Sequence, residues 1–287
     1  MSRSRQIAVT VIGAIAAIAV ILTLLKVVPS RVQPAVASAP NHTAIAPGEV
    51  TSDSAPPAVD QEAMSALERM GSYLRTLREF QLKADVVTED VRTDGQKVQI
   101  IRSVSLVARR PNRLFADIKN DRKQRMFFYD GKNFTLYAPR PQFYATVPAP
   151  ATIEKLADDL EDKYDLELPL VDLFRWGTSE SDVSAITSAV DLGPSAINGV
   201  TCEQYGFRQD GLDWQLWIQR GENALPCRIV ITTLTDEARP QHTATYTWDL
   251  APSFDDNTFV FRAPPGAKPI PLAEVPVVAT SSNTPGK

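Results

Sequence analysis

Residues 200–235 read VTCEQYGFRQDGLDWQLWIQRGENALPCRIVITTLT, and this stretch decides the fold. Three runs rich in aromatic and β-branched residues are separated by Gln209-Asp210-Gly211 and Gly221-Glu222-Asn223. Such runs, broken by Gly with Asp or Asn, predict a three-stranded antiparallel meander. In the middle run Trp214, Leu216 and Ile218 share one face, and Gln215, Trp217 and Gln219 share the other. One face is therefore apolar, and the other is expected to carry an exposed or half-covered Trp217. The stretch offers a surface for an apolar molecule or a covering helix, and no chemistry.

Both cysteines, Cys202 and Cys227, fall inside this meander. Each opens a strand, which puts them at one end of the sheet and two strands apart, about 10 Å by strand spacing. Direct bridging needs a closer approach. A disulfide is expected on the condition that the loop from Arg220 to Pro226 folds back over the middle strand, in a compartment that allows oxidation.

The N-terminus points to such a compartment. Arg3 and Arg5 precede an apolar run from Ile7 to Val28, about the length that spans a bilayer core. The arginines hold the start in the cytoplasm and direct the remainder outward. We read residues 1–28 as an uncleaved signal-anchor transmembrane helix. The localisation is then the inner membrane, single-pass, with the main domain in the periplasm. The alternative is a signal peptide cleaved near Ala37, although that site lies well beyond the apolar run. Residues 29–59, rich in Pro, Ala, Ser and Thr, should form a disordered tether. The domain is expected over residues 60–270 and a loose tail over 271–287.

Asp60 is placed to cap a helix in which Met64, Leu67, Met70, Leu74 and Leu77 recur at helical spacing. Gly71 weakens that helix by about 1 kcal/mol relative to Ala. Six strands follow, from Phe80 to Val147, with turns that include Asp94-Gly95 and Asp130-Gly131. A helical insert comes next, with one helix from Ile153 to Tyr164 and a second from Leu168 to Trp176. Its carboxylates, Asp158, Asp159, Glu161, Asp162, Asp165 and Glu167, lack the spacing of a calcium loop and read as a solvated face. Asp182–Leu192 suits a short helix and then a strand. His242–Leu250 and Thr258–Arg262 complete the set of strands.

A net charge of −4 gives no footprint for nucleic acid. The basic residues Arg122, Lys123 and Arg125 sit among Asp117, Asp121 and Asp130 and read as a solvated strand face. Of the two histidines, His42 lies in the tether and His242 on a strand, where it should be exposed. No histidine metal cluster, nucleophile elbow, phosphate loop or dinucleotide fingerprint occurs. The expectation is a protein that is not an enzyme, with no catalytic residues, no metal and no cofactor.

The segments GVTCEQYGFRQDGLDWQLWIQ, LPCRIVITT and TFVFRAPPGAKPI resemble the second half of the lipoprotein-carrier superfamily, which includes LolA and LolB. The segments ALERMGSYLRTL, FFYDGK, LYAPR and LFRWGT resemble a narrower group still, a domain of unknown function in predicted periplasmic bacterial proteins. The likeness spans about residues 60–270. It implies an α+β fold, a strongly curved antiparallel sheet, or incomplete barrel, wrapped around helices. It also implies an apolar cavity between sheet and helices. Met126, Phe128, Phe134, Leu136 and Phe143 would line that cavity with Trp214, under a lid carrying Leu170, Phe174 and Trp176. The partners implied are the membrane, through the N-terminal helix, and a lipid or lipoprotein acyl chain. The alternative is an envelope protein partner, in an interaction or stress-regulatory module whose core is filled.

Overall fold

The computed structural model describes residues 59–178, 181 and 183–274. The expected transmembrane segment 1–28, the tether up to residue 58 and the tail after Glu274 lie outside them. Among the described residues no helix is long and apolar enough to cross a membrane.

Helix α1 spans Gln61–Thr76. Asp60 begins it as foreseen: its carboxylate accepts from the backbone N–H groups of Glu62 at 2.7 Å and Ala63 at 3.3 Å. Its buried stripe is Ala63, Ala66, Leu67, Met70, Gly71 and Leu74. The large members of that stripe contribute about 1.5–3 kcal/mol each on burial.

A six-stranded meander follows: β1 (Glu79–Val91), β2 (Lys97–Arg109), β3 (Arg113–Lys119), β4 (Gln124–Tyr129), β5 (Asn133–Ala138) and β6 (Phe143–Pro148). The insert holds α2 (Ile153–Tyr164), capped by Thr152, and one short turn of helix, α3 (Asp172–Arg175). The second helix is shorter than expected. Pro169 and Leu170, the latter at φ 57°, hold the chain out of helical geometry. A 3₁₀ turn at Val183–Ala185 leads to a second meander: β7 (Ser188–Ile197), β8 (Val200–Gln209), β9 (Leu212–Gln219), β10 (Pro226–Thr233) and β11 (Gln241–Asp249).

Among the described residues all twelve strands belong to one sheet, ordered β12-β6-β5-β4-β3-β2-β1-β11-β10-β9-β8-β7, where β12 is Lys268–Pro269. The two meanders meet at β1 and β11, and the outermost strands do not pair, so the curved sheet stays unclosed. The strand expected over Thr258–Arg262 is absent. Asp255 instead caps a 3₁₀ turn, Asp256–Phe259, by accepting from the Asn257 N–H at 2.9 Å.

Cys202 and Cys227 are joined by a disulfide with Cα atoms 7.0 Å apart. The approach is closer than strand spacing suggests because β10 carries a bulge between Pro226 and Arg228, at Cys227. Trp217, expected to be exposed or half-covered, is buried. It packs in a cluster with the two cysteines, Val230 and Ile197. Its indole N–H donates to Ser195 Oγ at 3.2 Å, and the Arg228 guanidinium stands 5.6 Å from its ring centre.

Candidate ligand site on the inner face of the sheet

Strand register decides which side chains can meet. Phe80, Leu82, Ala84 and Val86 of β1 stand opposite Ala108, Leu106, Val104 and Arg102 of β2. Leu82, Ala84 and Thr88 also stand opposite Trp248, Tyr246 and His242 of β11. Directly opposed residues share a face. The insert packs on this inner face: Phe174 lies 5.9 Å from Phe80, and Trp176 lies 5.7 Å from Trp214, between ring centres.

The expected cavity residues divide between the two faces. Phe134 is fully buried on the inner face, 5.8 Å from Phe127, and Leu136 and Phe143 share that face. Trp214 is buried there too. It stacks on Phe207 at 4.2 Å and donates to Gln209 Oε1 at 3.2 Å. Phe174 is buried in the insert, while Leu170 and Trp176 are half-buried. Met126 and Phe128 belong to the outer face, because β4 turns Phe127 and Tyr129 inward. There Phe128 packs on Phe115 and Phe261. With Tyr137 and Val260 they line a separate outer groove of about 390 Å³.

The insert is fixed by backbone contact and by charge. Gly71 of α1 meets Gly177 closely, and Arg75 donates to the Gly177 carbonyl. Arg175 pairs with Asp158 at 3.1 Å and Glu161 at 3.3 Å, tying α3 to α2. Arg110 lies over the Phe174 ring at 5.0 Å and pairs with Glu154. Two of the acids expected on a solvated face, Asp158 and Glu161, are therefore engaged in holding the insert together.

Sequence reading missed four polar groups. Burial pushes the Glu167 carboxyl up to about 8, with repulsion from Asp172 and Glu161 adding and Arg175 opposing. Burial also raises Asp172, against the pull of Arg175. Tyr246, on the inner face, is raised by burial and by the nearby Asp172. His242 is half-buried rather than exposed. Its Nδ1 lies 3.1 Å from Thr88 Oγ1, and burial and the neighbouring Arg102 push it down to about 4. The signals were local. Glu167 and Asp172 are single acids set among Leu166, Leu168, Val171, Leu173 and Phe174, and Ala244, Tyr246 and Trp248 alternate along β11.

Beyond the insert the inner face keeps a partly accessible apolar lane, with Val98, Ile100, Ile118 and Leu136 half-buried. Two cations share that face: Arg102, which donates to Thr88 Oγ1 at 3.2 Å, and Arg125, opposite Ile118. Burial lowers the Arg102 pKa, and the positive charge of Arg125 lowers it further. Among the described residues neither arginine forms a salt bridge, and no group of acids, histidines and cysteines could hold a metal ion.

A family model described as "Predicted periplasmic protein (DUF2092)" matches residues 63–273. No match was found among curated proteins. Solved structures resemble the chain at low identity. LprF from Mycobacterium bovis is 16% identical, with a TM-score of 0.43, over 70% of this chain and 97% of its own. A LolA superfamily protein from Nitrosomonas europaea is 10% identical, with a TM-score of 0.33, over 69% and 97%. MucB in complex with the periplasmic part of MucA is 12% identical, with a TM-score of 0.37, over 69% and 60%.

Proposed function

We propose, from the premise that this chain belongs to the DUF2092 family of predicted periplasmic proteins, that it binds an amphipathic, lipid-like molecule on the inner face of its sheet. One observation carries this reading: the partly accessible apolar lane shares its face with Arg102 and Arg125, which have no carboxylate partner among the described residues. An alkyl chain laid along Val98, Ile100, Ile118 and Leu136 would leave water, and an acidic head would neutralise two adjacent cations. Trp176 and Phe174 would roof the far end. The protein acts by binding, not by catalysis, and the apolar segment 7–28 anchors it to the inner membrane with the domain in the periplasm.

The test is to purify the full-length chain in a mild detergent, record its native mass and extract it with organic solvent. The reading expects co-purifying lipid mass and displacement of a bound fluorescent fatty acid by oleate. It also expects about tenfold weaker binding of the anionic probe in an R102A/R125A double variant. A clean mass with no probe binding would sink it.

A second reading, a protein partner, draws on the outer face of edge strand β7. Val190 is 44% and Leu192 51% exposed there, both lying over Gly206. Exposed apolar side chains on an edge strand suit β-strand addition by another chain. Protection of the β7 amides from hydrogen exchange on mixing with an envelope extract, with no lipid recovered, would favour this reading.

A further inference from the structure

A second, polar recess of about 370 Å³ lies between α1 and strands β7 to β9. Its floor comes from register: Asp191 is paired with Tyr205, and Glu203 lies two residues along the same strand on the same face. Its roof is one stripe of α1, with Glu62, Ala66 and Arg69 separated by whole turns. Arg220 closes one side.

The charges in this recess do not cancel. Arg69 is paired with Glu62 at 2.7 Å, and Arg220 with Glu203 at 3.1 Å. Among the described residues Asp191 forms no salt bridge. Its carboxylate accepts from the Gly193 N–H at 2.8 Å, which leaves most of its acceptor capacity open. One negative charge is left over.

Tyr205 points independently to a polar ligand, as a buried side chain with an unpartnered hydroxyl turned into the recess. The residue is 3% exposed and lines the recess, and among the described residues its hydroxyl has no hydrogen-bond partner. Its ring is buried, while its hydroxyl opens into the recess, where a polar ligand can reach it. Burial, with the carboxylates of Asp191 and Glu203, pushes its pKa up to about 12. It therefore stays protonated and can both donate and accept.

We propose that this recess binds a primary ammonium group, held by the carboxylates of Asp191 and Glu203 and by the Tyr205 hydroxyl oxygen. Three acceptors around one net negative charge match the three N–H donors of an ammonium. An anion would meet carboxylates, and a quaternary ammonium would bring charge without donors. The ammonium can come from a free small amine or from an aminophospholipid headgroup. The site is separate from the apolar lane and does not depend on its occupancy.

The test is saturation-transfer NMR on the full-length chain in maltoside micelles, with ethanolamine and with choline as chlorides. Ethanolamine should bind, and choline, of equal charge, should bind about tenfold more weakly. Asp191→Asn should weaken ethanolamine binding about tenfold, and Tyr205→Phe severalfold. Tyr205→Phe removes a hydroxyl with no partner, so its thermal midpoint should match the parent protein. Competition by phosphatidylethanolamine but not phosphatidylcholine would assign the headgroup as source. Binding retained without that competition would assign a free amine. No ethanolamine binding, equal binding of choline, or binding indifferent to both substitutions would overturn the proposal.

Discussion

Gly71 on α1 and Gly177 at the end of the insert touch through bare backbone. A methyl carbon on Gly71 would lie 2.8 Å from the Gly177 Cα, and one on Gly177 would lie 2.8 Å from the Gly71 carbonyl carbon. Gly177 also sits at φ 72°, where other residues are strained. In an isolated helix Gly71→Ala would gain about 1 kcal/mol. Here the added methyl must push the insert off α1, a misfit that costs about 1–3 kcal/mol. We expect net destabilisation in urea titrations and faster hydrogen exchange across residues 172–178. A more stable variant with unchanged exchange would show that the contact does not hold the insert.

Glu167 makes stability depend on pH. Unfolded, it ionises near 4.5, whereas folded it keeps its proton to about 8. The folded state therefore binds more protons between these values, and this contribution to stability declines as pH rises through that window. Asp172, also raised, acts in the same direction. Glu167→Gln should flatten the fall in melting temperature between pH 5 and 8 and leave the variant relatively better off at pH 8. An unchanged profile would count against a buried carboxyl at this position.

His242 works the opposite way. Its folded pKa near 4 lies below its ordinary 6.5, so the unfolded chain takes up the proton first. Its contribution is present above pH 6.5 and is lost as pH falls through 4. His242→Gln keeps a side chain able to hydrogen-bond Thr88 and should reduce the loss of stability between pH 6 and 4. Between pH 4.5 and 6.5 the two titrations oppose each other, and the double variant tests whether they add.

Much of the sheet was legible because it is local. Turn residues such as Asp130-Gly131 and alternation such as Phe80, Leu82, Ala84, Val86 place strands without tertiary knowledge. The face of Met126 and Phe128 was not legible, because QRMFFY is apolar on both sides. Its outer side is covered by Phe261, which comes 133 residues after Phe128. The insert was foreseen as acidic helix, but the burial of Glu167 and Asp172 depends on what lies over them. Gly71 read as a weakness of α1, and its use appears only when Gly177 arrives. The recess at Tyr205 needed α1 to be laid across β7 to β9, which no sequence period encodes.

The Cys202–Cys227 bond spans 25 residues, for which the chain-entropy model gives about 3–4 kcal/mol. A Cys202→Ala/Cys227→Ala double variant should lose about that much in denaturant titrations. The parent protein should match it after reduction and lose nothing in the absence of reductant. Equal stability with and without reductant would contradict a bridge that contributes to the fold.

The seam between β1 and β11 has a kinetic consequence. The other antiparallel ladders join strands that follow each other in the chain, whereas Thr88 and His242, partners across this seam, are 154 residues apart. Each half can zip from its own hairpins, but joining them means closing a loop that contains most of the domain, the slowest kind of contact to form. Until then β1 and β11 present open edges above apolar inner faces. At high concentration the β1 edge of one molecule can be met by the β11 edge of another, so exchanged dimers are the expected product of refolding the chain too fast or too crowded.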